Sequence, residues 1–223
     1  MKAVRQAILA GALAVAASAG VAHADPFTWG TVTVWNAATP GATDTSPTEQ
    51  ALFSNPLRVG ANRIFSSTYS GPLDLALNGI NTTPATVGQF LGSGSVTYGA
   101  SVAGLTQTLS KANDKWTTLM DWTFSLNSTA NLAIMHDDGF SIANASNTTT
   151  ITGAPGPTGS VSADVTLGPG SYNLWYVEAN GLPAQLNFGL ASTPVPEPAT
   201  MALVATGLLG LGMIRRRKTR GVA

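Results

Sequence analysis

One stretch of this 223-residue sequence gathers side chains able to do chemistry: His136-Asp137-Asp138-Gly139. The apolar run Leu132-Ala133-Ile134-Met135 precedes it and Phe140-Ser141-Ile142 follows. That order predicts a strand, an acidic turn and a second strand, with both carboxylates at one loop tip. Hard oxygen ligands so placed suit Ca²⁺, which accepts carboxylates, amide oxygens and main-chain carbonyls in a loose shell. The spacing is not that of an EF-hand loop. Asp-Gly is also a favoured hairpin dipeptide, so the residues themselves leave a turn without any ligand open beside a metal site at Asp137 and Asp138. Adjacent acids are poorly placed for glycoside hydrolysis, which needs two carboxyls facing each other at roughly 5–9 Å. His136 is the one histidine apart from His23, and there is no cysteine. Histidine-ligated zinc, thiol catalysis and thioether haem attachment are therefore excluded. No nucleophile elbow, His-Glu-x-x-His pair or phosphate loop is present, so a non-enzymatic protein is expected.

The elements that must position the acidic turn are written as period-2 alternation. Thr28–Trp35, Trp122–Leu126, Val161–Leu167, Tyr172–Glu178 and Ala184–Leu190 each alternate, with turn residues between them. Tyr172, Leu174, Tyr176 and Glu178 share one face of their strand, and Trp175 and Val177 the other. This predicts an all-β antiparallel sandwich of jelly-roll type. Residues 36–112 are less regular: a loop from Thr39 to Pro47, a short helix or irregular stretch from Leu52 to Ile64, and a strand within Ser93–Val102 are expected. Ser146–Gly159 reads as a long hairpin loop. The five tryptophans are expected mainly in core and edge packing, with sugar stacking the alternative.

The two ends differ from this middle. Lys2 and Arg5, the apolar run Ala7–Ala19 and Ala22-His23-Ala24 compose a secretory signal peptide over 1–24, cleaved by signal peptidase after Ala24. At the other end, Pro196-Glu197-Pro198 leads into the apolar stretch Ala199–Ile214, then Arg215-Arg216-Arg217-Lys218. As a helix this stretch would be roughly 24 Å long, short for a hydrocarbon core of about 30 Å. The basic cluster would hold its end on the cytoplasmic side. The expected organisation is thus a signal peptide (1–24), a β-sandwich domain (25–193) and a sorting segment (194–223) with a single transmembrane helix. The middle carries four basic residues against ten acids, a net −6, which disfavours nucleic-acid partners.

The tail resembles the PEP-CTERM sorting signal in all three parts and their order. That resemblance implies a Gram-negative bacterium that makes exopolysaccharide, and recognition and processing by an exosortase. It also implies only transient residence in the inner membrane through residues 199–214, and a final place in the cell envelope or extracellular matrix of a biofilm. The middle offers a second resemblance. Asp137-Asp138-Gly139, then Leu167-Gly168-Pro169-Gly170-Ser171-Tyr172, then Tyr176-x-Glu178-Ala179-Asn180-Gly181 is similar to the β-sandwich domain of anthrax protective antigen and fungal flocculins. In the sugar-binding members of that family the paired acids, joined by a cis peptide, bind Ca²⁺, and the ion holds sugar hydroxyls. The resemblance implies that Asp137 and Asp138 are metal ligands. An Asn in a later loop completes those sites, and Asn180 sits in a loop here, though the sequence does not align the two. The functions expected are an adhesin-like module binding exopolysaccharide or another glycan, a purely structural matrix protein, or, third, a secreted glycan hydrolase.

Overall fold

The computed structural model describes residues 26–80, 84–111 and 115–191. The signal peptide with Ala24, the motif Pro196-Glu197-Pro198, the apolar stretch 199–214 and Arg215-Arg216-Arg217 lie outside the described residues. Among those described, no helix is long and apolar enough to cross a membrane.

Eleven strands and one short helix follow in order. They are β1 (Phe27–Ala38), β2 (Arg63–Ser70), β3 (Leu73–Leu77), α1 (Val87–Leu91), β4 (Thr97–Tyr98), β5 (Trp116–Leu126), β6 (Ala130–Asp137), β7 (Phe140–Asn144), β8 (Thr150–Ala154), β9 (Val161–Leu167), β10 (Gly170–Glu178) and β11 (Ala184–Leu190). They form two antiparallel sheets, one of seven strands ordered β4-β2-β1-β5-β10-β7-β8 and one of four ordered β3-β11-β6-β9. The all-β sandwich is therefore as expected.

The sheets meet over one core that includes Val32, Val34, Met120, Trp122, Phe124, Leu132, Ile134, Leu174, Tyr176, Leu186 and Phe188. Alternation makes this possible: in β6, Ala130, Leu132, Ile134 and His136 point inward while Asn131, Ala133 and Met135 face solvent. Burying each large apolar side chain contributes about 1.5–3 kcal/mol. Trp35, Trp122 and Trp175 are buried and Trp29 and Trp116 half-buried, so the tryptophans pack rather than present rings.

A second, smaller cluster lies on the outer face of the large sheet. Trp35, Leu119, Ala143, Trp175 and Val177 are covered there by Ala51, Phe53 and Leu57, from the segment between β1 and β2. Arg58 closes it, with its guanidinium 4.8 Å from the ring centre of Trp175 and 5.9 Å from that of Trp35.

Residues 52–62 take the irregular of the two expected forms, turns with a 3-10 turn at Gly60–Asn62, although Ile64 already belongs to β2. The structure departs from the sequence reading in three further places. The strand expected within Ser93–Val102 shrinks to the two residues of β4. The expected hairpin loop 146–159 contains β8, which pairs with β7. Helix α1 was not foreseen; Thr86 and Gln89 close it with a reciprocal capping box.

Candidate functional site

Asp137 ends β6 and Gly139 precedes β7, but these strands lie in different sheets: β6 pairs with β9 and β11, and β7 with β8 and β10. The acidic turn is thus a corner carrying the chain from one sheet to the other, not the turn of a hairpin. The peptide bond between Asp137 and Asp138 is cis, as the second resemblance implies. Gly139 N-terminal to β7 passes so close to the 155–156 loop that a Cβ there would lie 2.1 Å from the Pro155 carbonyl oxygen. Gly139→Ala is expected to displace that loop and lower the melting temperature by several degrees, as a clash of this kind costs about 1–3 kcal/mol. An unchanged melting curve would contradict the packing described.

Asp137 and Asp138 are both buried, at 6% and 3% exposure, yet they face differently. Asp138 turns inward. Its Oδ2 accepts the main-chain N–H of Ala179 at 2.7 Å and of Asn180 at 3.2 Å, and its carboxylate also accepts the N–H of Thr158. One side chain thereby ties three loops together. Burial pushes its pKa up to about 7 against the pull of these N–H donors, and the charge of Asp137 adds to the rise. Asp137 instead lines an open groove of about 480 Å³, together with Asp44, Thr158, Ser160, Asn180 and residues 181–183. Burial raises its carboxyl as well, and the Ser160 N–H opposes the rise.

Two further residues enter this groove. Asn180, beyond β10, donates from Nδ2 to Asp44 Oδ1 at 3.4 Å, leaving its own Oδ1 as the atom able to meet a cation. Asp44 arrives on the loop after β1, which Gln50 braces by donating to the Asp44 carbonyl at 2.6 Å. Sequence reasoning singled out Asp137, Asp138 and Asn180, and the structure brings them together. It missed Asp44, whose loop carries no motif.

The floor of the site is a buried polar chain. The Tyr176 hydroxyl contacts the Asp137 carbonyl oxygen and, at 2.8 Å, Glu178 Oε2. Ser110 Oγ donates to Glu178 Oε1 at 2.8 Å and accepts the Gly181 N–H at 3.0 Å. Tyr176 has one hydrogen and the carbonyl can only accept, so the contact with Glu178 is satisfied when Glu178 is a neutral acid. Burial agrees, holding the Glu178 pKa well above the carboxylate range, with Asp138 the next cause. His136 Nδ1 donates to the Asp138 carbonyl, and burial lowers the His136 pKa, which fixes a neutral ring inside the corner.

The side chains that line the groove offer oxygen ligands: the carboxylates of Asp44 and Asp137, the amide of Asn180 and the hydroxyls of Thr158 and Ser160. Among the described residues no three His, Cys, Asp or Glu side chains are gathered to hold a metal by themselves. Any cation here would draw on the amide and hydroxyls as well, a mixed hard-oxygen set of the kind that suits Ca²⁺.

Comparison with known proteins adds the following. Residues 194–218 match the family model described as the PEP-CTERM protein-sorting motif, so the tail carries that signal. No curated protein matches the chain. Several solved structures are similar in fold, three of them as follows. A PA14 sugar-binding domain from an RTX adhesin is 18% identical, with 72% of this chain and 89% of that one covered and a TM-score of 0.43. The epithelial adhesin 9 A domain from Candida glabrata, in complex with Galβ1-3GlcNAc, is 14% identical, with 77% and 85% covered and a TM-score of 0.43. The PA14 domain of the antifreeze protein MpAFP is 12% identical, with 75% and 82% covered and a TM-score of 0.40.

Proposed function

We propose that this protein is exported to the cell envelope or extracellular matrix of a Gram-negative bacterium and there binds glycan hydroxyls through Ca²⁺, without turnover. The observation that carries the reading is the groove lined by Asp137, Asp44 and Asn180, in which the Asn180 amide donates to Asp44. Asp137, Asp44 and Asn180 would hold the cation, with Asp138 supplying what its three N–H bonds leave over and keeping the loops in place. A bound Ca²⁺ leaves coordination positions open to neutral oxygen ligands such as vicinal sugar hydroxyls. The net −6 of the middle region discourages polyanions and favours a cation-bridged or neutral glycan. Signal peptidase would act after Ala24, and an exosortase would process the tail at Pro196-Glu197-Pro198, with the inner membrane engaged only transiently. The natural glycan on this reading is the exopolysaccharide of the host's own biofilm.

The test is retention of the purified exported protein on immobilised glycans. The expected result is binding in millimolar Ca²⁺ that is released by EDTA and absent in Asp137→Ala. Binding that persists unchanged in EDTA would overturn the calcium-bridged reading. A ligand-free structural role is the second reading, and one observation favours it: Asp138 serves three main-chain N–H groups as it stands. Absence of any glycan retention would decide for it.

A further inference from the structure

The buried chain beneath the groove links two segments that a ligand must find at a fixed separation. It begins at the Asp137 carbonyl and runs through Tyr176, Glu178 Oε2, Glu178 Oε1 and Ser110 Oγ to the Gly181 N–H. Its two ends are thus the corner that carries Asp137 and the loop that carries Asn180. Tyr176 and Glu178 are fully buried and Ser110 is 7% exposed, so water cannot readily replace any of these bonds. Tyr176 is also held by its ring, stacked on Phe90 of α1 with centres 5.7 Å apart and planes 15° apart.

The same two segments are joined a second time, by Asp138 Oδ2 with Ala179 N–H and Asn180 N–H. A carboxylate bond of that kind fixes where the backbone of residues 179 and 180 starts. The lower chain fixes residue 181, on the far side of Asn180. Asn180 is thus clamped before and after.

We propose that Tyr176, Glu178 and Ser110 are positioning residues, a strap that sets the separation of Asp137 and Asn180 and so preorganises the groove for its cation. The inference rests on the groove as the binding site, but the strap itself can be tested without any ligand. None of the three side chains faces the groove, so each acts through the segments it joins.

The test is amide hydrogen exchange of the purified exported protein in EDTA, with Tyr176→Phe, Glu178→Ala and Glu178→Gln compared with the parent chain. Tyr176→Phe touches none of the 179–181 amides. It is nonetheless expected to speed exchange at Ala179, Asn180 and Gly181 by roughly tenfold or more, while His136 and Leu186 in the small sheet keep their protection. Glu178→Ala should do the same. Glu178→Gln keeps an acceptor for Ser110 and offers a hydrogen to Tyr176, so exchange should stay within about threefold of the parent. Unchanged exchange at 179–181 in Tyr176→Phe, or uniform acceleration across both sheets, would overturn the strap. A separate Ca²⁺ titration of the parent chain reports on the groove as a metal site. Its failure would leave the exchange result standing as evidence for or against the strap.

Discussion

Asp138→Ala is expected to destabilise the protein by several kcal/mol, whereas Asp137→Ala is expected to abolish cation binding with much less loss of stability. The two acids are neighbours in sequence but not in role. Removing the Asp138 carboxylate strips partners from the N–H groups of Thr158, Ala179 and Asn180 at once. Each buried donor left unsatisfied costs about 1–3 kcal/mol. Asp138→Asn keeps one acceptor oxygen and should fall between. Among the described residues the Asp137 carboxylate accepts one main-chain N–H, that of Ser160, and it lines the groove, so its loss removes a ligand and little of the framework. Thermal melting in EDTA, set beside Ca²⁺ titration, separates the two effects. Equal destabilisation by both alanine variants would contradict the division of labour drawn here.

The second large effect concerns Asp121, on the outer face of β5 between Thr33 and Trp175. It is 9% exposed, and among the described residues its Oδ1 has no hydrogen-bond partner. Burial pushes its pKa from 3.8 up to about 7, and the nearby positive charge of Arg58 offsets only part of this. The folded protein therefore holds a proton that the unfolded chain releases near pH 4. Stability from this group is full below about pH 4 and falls as pH rises to about 7. Asp138, raised by burial to about 7, works in the same direction in the metal-free protein. Asp121→Asn removes the ionisation and should stabilise the protein at pH 8 by on the order of 1–4 kcal/mol, with no gain at pH 4. Urea midpoints at the two pH values in EDTA measure this. A destabilised Asp121→Asn at pH 8 would mean that its charge is used in the fold.

Much of this architecture was legible in the sequence because period-2 alternation reports a strand with one buried face. Strand β6 is the clear case, with Leu132, Ile134 and His136 inward and Ala133 and Met135 outward. The acidic corner was legible for the same reason, since a polar cluster between two apolar runs must lie at their junction. That the corner changes sheets was not, because pairing partners lie far along the chain and leave no local mark.

The contribution of Asp44 was hidden behind a further step. Residues 173–179 of β10 and beyond are buried without alternation, which is the signature of a strand covered on both faces. Trp175 and Val177 were placed on the outward face by their alternation, but nothing local to them names the segment that covers it. The covering segment is the irregular one between β1 and β2, and it brings Asp44 to the groove as it crosses. The different facing of Asp137 and Asp138 was equally unreadable, since it depends on N–H donors contributed by the 158 and 179–180 loops.

Calorimetric titration of the exported protein with CaCl₂ at neutral pH asks whether the groove holds the cation. One saturable site is expected, with a rise in melting temperature in the same concentration range and loss of both in Asp137→Ala and Asp44→Ala. No binding heat and no shift in melting temperature at millimolar Ca²⁺ would contradict it.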